Sequence, residues 1–81
     1  MNCYLYILYS EKLDKFYIGV ANNVLERLKR HLSNHKGFTA RTKDWKIVYT
    51  EKFENKSNAL HREKQIKNWK SKKMIMNLIK K

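Results

Sequence analysis

The sequence lacks most of the residues that cross-link or divide small proteins. It has one cysteine, Cys3, so it cannot form a disulfide within the chain or a zinc site of the CxxC type. The single cysteine is compatible with a reducing cytoplasm. There is no proline, and we find no internal repeat and no low-complexity segment that could serve as a linker. We therefore predict that residues 1–81 form a single domain.

Long apolar runs are also missing. No run approaches the roughly 20 residues needed to cross a bilayer. The first residues lack the long apolar segment of a signal peptide. We therefore expect a cytoplasmic protein with no membrane association. The apolar residues recur periodically along the chain, which indicates a globular protein rather than a disordered one.

Acidic residues are scarce. Seven Asp and Glu stand against 19 Lys and Arg, which gives a net charge of +12 and a pI near 10.0. Such an excess indicates a polyanionic partner, with nucleic acid the leading candidate. An anionic membrane surface is disfavoured because the basic residues are spread along the whole chain and not confined to one helix face. We expect no small-molecule cofactor, and a protein partner for targeting remains open.

The spacing of apolar residues predicts the order β-β-α-β-α-α. The predicted strands cover residues 3–9, 16–20 and 45–50, and the predicted helices cover residues 24–32, about 57–69, and 74–79. Leu25, Leu28 and Leu32 form the expected core stripe of the first helix. The predicted fold is α/β of the α+β type, a three-stranded antiparallel sheet flanked by helices.

The first two strands bring two tyrosines to one face. If Tyr6 lies opposite Gly19, then Tyr6 and Tyr17 are diagonal neighbours across the hairpin. Gly19 would leave open space beside them, as strand glycines do where a group must approach the backbone. The two phenols are either core aromatics with satisfied hydroxyls or part of a binding site.

The first helix places Arg27 and His31 one turn apart on one face. Arg27 by itself is also what a surface position of a basic protein would show. His31 and His35 have the i, i+4 spacing of zinc ligands. No third ligand follows at metal spacing, so we do not expect zinc.

The second helix carries one acidic residue inside its apolar arc. Glu63 lies one turn from Ala59, Leu60 and Ile66. A carboxylate on a core-facing side is costly unless it is paired or binds a metal. Lys67, four residues later, could supply the pairing, so both interpretations of Glu63 stay open.

Together these positions resemble the GIY-YIG nuclease superfamily. Tyr4-Leu5-Tyr6 is followed after ten residues by Tyr17-Ile18-Gly19, and then by Arg27, His31 and Glu63. The resemblance covers essentially the whole chain. Residues 62–70, 72–73 and 78–79 are similar to the small stand-alone bacterial branch of the family. The first motif departs from the family pattern, because its Gly and Ile are replaced while its functional tyrosine is kept.

The resemblance implies a metal-dependent endonuclease that hydrolyses phosphodiester bonds, with DNA a better candidate than RNA. Glu63 would hold one Mg²⁺ or Mn²⁺, and Arg27 would bind the non-bridging phosphate oxygens. Tyr6 would act as general base or orient the attacking water, and Tyr17 would hydrogen-bond the water or the phosphate. His31 is the alternative base, because a histidine titrates near working pH. Base duty for Tyr6 requires a lowered pKa, which we expect from nearby cations.

The remaining expectations concern substrate contacts. Basic residues predicted to contact nucleic acid are Arg30, Lys36, Arg41, Lys43, Lys67 and Lys70. Asn77 is a candidate for the supporting asparagine of larger family members. Because one thin domain offers a small footprint, we predict preference for nucleic-acid structure over sequence, as in DNA repair. Two other readings stay open: a nucleic-acid-binding domain with an idle or partner-dependent site, and an accessory module.

Overall fold

The computed structural model describes residues 2–33 and 36–80. The elements follow the predicted order, with one addition, a short 3₁₀-helix between the first helix and the third strand. In chain order they are β1 (Cys3–Ser10), β2 (Lys15–Ala21), α1 (Val24–Ser33), the 3₁₀-helix (Phe38–Arg41), β3 (Lys46–Phe53), α2 (Lys56–Trp69) and α3 (Lys72–Ile79).

The predicted three-stranded antiparallel sheet is confirmed, with strand order β2-β1-β3. Tyr6 on the central strand pairs with Gly19 on β2 and with Thr50 on β3. This register is the one on which the tyrosine argument depended. A bulge between Ile7 and Leu8 interrupts the pairing of β1 with β3. β3 extends to Phe53, three residues beyond its predicted end.

Helices cover both faces of the sheet, because alternate residues of β1 point to opposite sides. Leu5 and Ile7 pack with Ile66 of α2 and with residues of α3. Tyr6 and Leu8 face the other way and pack in a second cluster with Leu28 and the rest of the α1 stripe. The central strand is therefore apolar on both faces, and the candidate tyrosines lie on the α1 side.

Helix α1 begins where the sequence provides a cap. The Asn23 side chain accepts a hydrogen bond from the Glu26 backbone N–H at 3.1 Å. The predicted core stripe is wrong at Leu25, which is 67 % exposed. The stripe begins instead at Val24 and continues through Leu28 and Leu32. Leu25 lies about 100° around the helix from Val24, which carries it off the sheet-facing side.

Helices α2 and α3 also begin at side-chain caps. Asn55 accepts from the Asn58 N–H at 2.9 Å, and Ser71 accepts from the Met74 N–H at 3.2 Å. Leu60, placed in the apolar arc of α2 from sequence, is 44 % exposed, whereas Ala59 and Ile66 are fully buried.

Within residues 2–33 and 36–80, no helix has the length and apolar character needed to cross a membrane.

Candidate active site

The candidate site is centred on Tyr6, whose ring lies across Gly19 of the edge strand β2. A β-carbon built on Gly19 would stand 2.5 Å from the Tyr6 hydroxyl oxygen and 2.6 Å from the ring carbon that bears it. Both distances are far below a normal contact. The phenol can occupy this position only because residue 19 has no side chain.

A line of hydrogen bonds leads from Tyr6 into the protein. The Tyr6 hydroxyl lies 3.0 Å from Nε2 of His31, and Nδ1 of the same ring lies 3.0 Å from Oγ1 of Thr39. The Trp45 indole N–H donates to the Thr39 carbonyl oxygen at 3.0 Å. Tyr17 completes the cluster, because its ring meets the His31 ring edge-on at a centroid distance of 4.7 Å. Strands β1 and β2, helix α1 and the 3₁₀-helix thus each contribute one side chain.

The Tyr6 hydroxyl does not have the lowered pKa that base duty was expected to require. Burial, together with the neighbouring Tyr17 and a smaller effect of Glu63, raises its pKa to about 12, and Arg27 lowers it only partly. Tyr6 is 1 % exposed, so loss of hydration outweighs the attraction of the cation. At neutral pH the phenol therefore keeps its proton.

The His31 ring is held neutral by its surroundings. Burial lowers its pKa below the ordinary value, and the positive charge of Arg27 lowers it further. A neutral imidazole has one nitrogen that can accept a proton. Because its Nε2 faces the Tyr6 hydroxyl, the two candidate bases are joined as one hydrogen-bonded pair and are not separate alternatives.

Arg27 and Glu63 act on the same phenol from different helices. Each alters the pKa of Tyr6 by its charge, which shows that both lie within electrostatic range of that hydroxyl. Arg27 is exposed and forms no ion pair with a carboxylate in residues 2–33 or 36–80. Glu63 forms the ion pair anticipated with Lys67, at 3.1 Å, while its side chain stays 19 % exposed. The carboxylate is therefore neutralised within the helix yet reachable from solvent.

The Glu63 carboxylate fits one hard cation that is otherwise held by water and substrate. Among the described residues no group of three or more His, Cys, Asp or Glu side chains could hold a metal. Mg²⁺ commonly binds through one or two carboxylates, keeps several waters and takes oxygens from phosphate. A single partly exposed carboxylate suits that mode of binding and does not suit a protein-built metal cage. The zinc pair considered from sequence includes His35, which lies outside the described residues.

The residues predicted to contact substrate lie on the surface. Arg30, Lys36, Arg41, Lys43, Lys67 and Lys70 are all exposed. Arg30 pairs with Glu26 at 3.7 Å across one turn of α1. Asn77 lines a cavity beside Arg62 and Trp69 on the α2–α3 side.

Three residues around the site were missed by sequence reasoning. Lys56 lines an open cavity of about 250 Å³ with Arg27 and Arg30, next to the start of α1. Thr39 and Trp45 support His31 from the segment between α1 and β3. Only the tertiary structure brings that segment against α1, so no local spacing could have linked these residues to His31.

Comparisons with known proteins agree with this fold. The family model of the GIY-YIG catalytic domain matches residues 2–77. A UPF0213 protein from Bacillus halodurans, solved in solution by NMR, superposes with a TM-score of 0.61 and 28 % sequence identity, covering 99 % of this chain and 84 % of that one. No protein with a curated description matches the sequence. This chain therefore belongs to the GIY-YIG family, whose catalytic domain indicates nuclease-type activity on nucleic acid and general dependence on a divalent metal.

Proposed function

We propose that the protein is an endonuclease that hydrolyses phosphodiester bonds at the cluster formed by Tyr6, Tyr17, Arg27, His31 and Glu63. The observation that supports this most is the hydrogen bond between Tyr6 and His31, a buried proton-transfer pair on which the charges of two outer residues act. General acid–base catalysis is most efficient when a positioned group titrates near working pH, and histidine is the side chain best suited to that role.

The residues have different roles because they lie at different depths below the surface. Tyr6 and His31 are 1 % and 9 % exposed, whereas Tyr17 is half-buried and Arg27 is exposed. Arg27 therefore meets the phosphate first, and its planar guanidinium can bind two non-bridging oxygens at once. Tyr17 orients the attacking water or a phosphate oxygen from the side of the imidazole.

The chemistry is a displacement at phosphorus. The water oxygen forms a new P–O bond while the P–O bond to the leaving oxygen breaks, and that oxygen takes a proton from solvent. The proton of the water moves to the Tyr6 oxygen as the phenolic proton moves to Nε2 of His31. This coupled transfer avoids a free phenolate, which a pKa of about 12 makes costly. Arg27 balances the charge that develops on the phosphate.

Glu63 is the residue we expect to hold one Mg²⁺ or Mn²⁺. Such an ion would neutralise phosphate charge next to the scissile bond. When no ion is bound, Lys67 balances the charge of the carboxylate. This exchange of one positive partner for another explains how a carboxylate is tolerated on the core-facing side of α2.

We propose DNA as the substrate class ahead of RNA, and recognition by structure ahead of sequence. The cavity lined by Arg27, Arg30 and Lys56 offers three cations that can follow a phosphate backbone, and backbone contacts convey no base identity. A repair role, a cytoplasmic location and a single domain over residues 1–81 stay predictions.

The direct test is cleavage of single-stranded, duplex and branched DNA and RNA with Mg²⁺, Mn²⁺ or EDTA. Glu63→Ala is assayed beside the wild type and beside Glu54→Ala, which removes an exposed carboxylate between β3 and α2. We expect cutting that needs metal, is lost in a folded Glu63→Ala and is kept in Glu54→Ala. A random-sequence duplex that yields one consensus site would reject the structure preference.

The alternative is a nucleic-acid-binding domain with an idle site. The Glu63–Lys67 ion pair favours it, because a carboxylate that is already paired with a lysine has less need of a metal. Tight binding without cleavage under every metal would support this alternative. Both proposals predict binding that weakens steeply with salt, because phosphate contacts release counterions. Affinity that barely changes between low and moderate salt would contradict both.

A further inference from the structure

Thr39 is a buried polar residue that family resemblance did not point to. It is 3 % exposed and lies in the 3₁₀-helix between α1 and β3. Its hydroxyl oxygen lies 3.0 Å from Nδ1 of His31, and its carbonyl oxygen accepts the Trp45 indole N–H at 3.0 Å. Trp45, itself 3 % exposed, thus fixes the backbone from which the hydroxyl reaches the imidazole.

The hydrogen bonds on the two sides of the ring constrain each other. A neutral imidazole carries one N–H, so one ring nitrogen donates and the other accepts. Tyr6 faces Nε2 and Thr39 faces Nδ1, so only one of the two hydroxyls can donate to the ring, and the other must accept from the ring N–H. A phenol is a far stronger acid than an aliphatic hydroxyl, so Tyr6 is the better donor to Nε2. Nδ1 then carries the hydrogen and donates to Oγ1 of Thr39.

We propose that Thr39 is a positioning residue that holds His31 in the Nδ1–H tautomer with Nε2 directed at Tyr6. This inference rests on the proposed nuclease function, because that tautomer is the one able to take the phenolic proton. After the transfer His31 is an imidazolium, with Nε2–H facing the Tyr6 oxygen and Nδ1–H still bound to Thr39. Return of the proton to solvent restores the starting state.

The tautomer can be measured without any catalytic assay. The ¹⁵N shifts of the imidazole nitrogens distinguish a protonated nitrogen from an accepting one, and His61→Gln and His35→Gln assign the His31 signals. We expect the Nδ1–H form in the wild type above the His31 pKa. Thr39→Val, which keeps the shape but removes the hydroxyl, should shift the ring toward Nε2–H. Wild-type His31 in the Nε2–H form, or a Thr39→Val protein that keeps Nδ1–H, would overturn the proposal.

The effect on catalysis is measured with the matched pair Thr39→Val and Thr39→Ser. We expect Thr39→Val to slow single-turnover cleavage by roughly 10- to 100-fold, as loss of a histidine's outer hydrogen-bond partner does at other sites. Thr39→Ser should keep most of the activity, because it keeps the hydroxyl. Ser57→Ala, at an exposed serine on α2, controls for removal of a hydroxyl elsewhere. Equal losses in Thr39→Val and Thr39→Ser would mean that packing matters and the hydroxyl does not, which would overturn the positioning role.

The tautomer measurement and the cleavage assay distinguish failure of the Thr39 inference from failure of the proposed nuclease function. A wild type that cleaves nothing, yet shows the Nδ1–H tautomer and its shift in Thr39→Val, would overturn the nuclease proposal and support the role of Thr39 in orienting His31. A wild type that cleaves nucleic acid but shows the Nε2–H tautomer would support the nuclease proposal and overturn the role of Thr39. If Thr39→Val does not fold, the wild-type spectrum and the activity of Thr39→Ser still decide.

Discussion

The Tyr6 hydroxyl occupies the space that a side chain at Gly19 would need, with only 2.5 Å between that oxygen and the position of a β-carbon. Gly19→Ala must therefore push the buried ring away from β2 and stretch its hydrogen bond to His31. We expect a loss of roughly 1–3 kcal/mol in the free energy of unfolding, as for other overpacked sites. Cleavage should fall by about 10²-fold, because a shift of about 1 Å in a reacting group is enough for that.

Thermal unfolding and single-turnover cleavage test this prediction together. Val20→Ala is the control, because Val20 neighbours Gly19 on the same strand and its side chain points to the opposite face. A Gly19→Ala protein that cuts as fast as the wild type would show that the Tyr6 position is not critical.

Arg27 is predicted to matter more for cleavage than for binding. It is exposed, and its charge acts on both Tyr6 and His31. Arg27→Ala should lower the cleavage rate at saturating substrate by at least about 10²-fold, as removal of one transition-state donor does elsewhere. The affinity of Arg27→Ala for the same DNA should change far less than its cleavage rate. The change in affinity should be similar to that of Arg30→Ala, which removes a neighbouring cation. Equal losses of rate and affinity in Arg27→Ala would make it a phosphate anchor only.

The acidic limb of the pH–rate profile should follow His31. Catalysis needs the neutral imidazole, and burial together with Arg27 lowers the pKa of His31 below its usual 6.5. Activity should therefore persist below pH 6.5 and be lost as the pH falls through the lowered pKa. The groups around the ring are Tyr6, Tyr17, Arg27 and Thr39. An acidic limb well above 6.5 in kcat/KM would contradict the assignment.

A separate prediction concerns Asp44, which ties the first hairpin to the start of β3. Its carboxylate accepts from the Ser10 hydroxyl at 2.6 Å, the Lys12 N–H at 2.9 Å and the Thr42 hydroxyl at 2.9 Å. These bonds lower the pKa of Asp44 to about 2, with the Ser10 bond the largest cause. The stabilisation is therefore complete above the unfolded-state pKa near 4 and is lost as the pH falls toward 2.

Thermal unfolding across that pH range tests the Asp44 prediction. Asp44→Asn should melt below the wild type at neutral pH, and the gap should close between about pH 4 and pH 2. Glu54→Gln, at an exposed carboxylate outside this network, should show no such narrowing. A gap of constant size down to pH 2 would contradict the assignment.

The sequence predicted features that depend on local pattern. The order of elements and the Tyr6–Gly19 register both follow from the spacing of side chains along the sequence. The placement of Leu25 in the core stripe was wrong because a periodic stripe defines the rotation of a helix only to within about one residue, which is about 100°.

Features that depend on long-range packing could not be read from the chain. The predicted lowering of the Tyr6 pKa was wrong because burial raises this pKa by more than Arg27 lowers it, and burial is a property of the folded cluster. Thr39 meets His31 only after the segment before β3 folds back on α1. The joining of Tyr6 and His31 into one pair likewise needed the side-chain geometry.

The most direct test of the account is single-turnover cleavage by Tyr6→Phe beside Tyr49→Phe. Both changes remove one phenolic oxygen, but Tyr49 lies on β3 and donates to Glu51. We predict that Tyr6→Phe binds DNA as the wild type does and cleaves it about 10²- to 10⁴-fold more slowly, the range for loss of general base catalysis. Tyr49→Phe should cleave near the wild-type rate. A folded Tyr6→Phe protein that cleaves as fast as Tyr49→Phe would contradict the central claim that hydrolysis runs through the Tyr6–His31 pair.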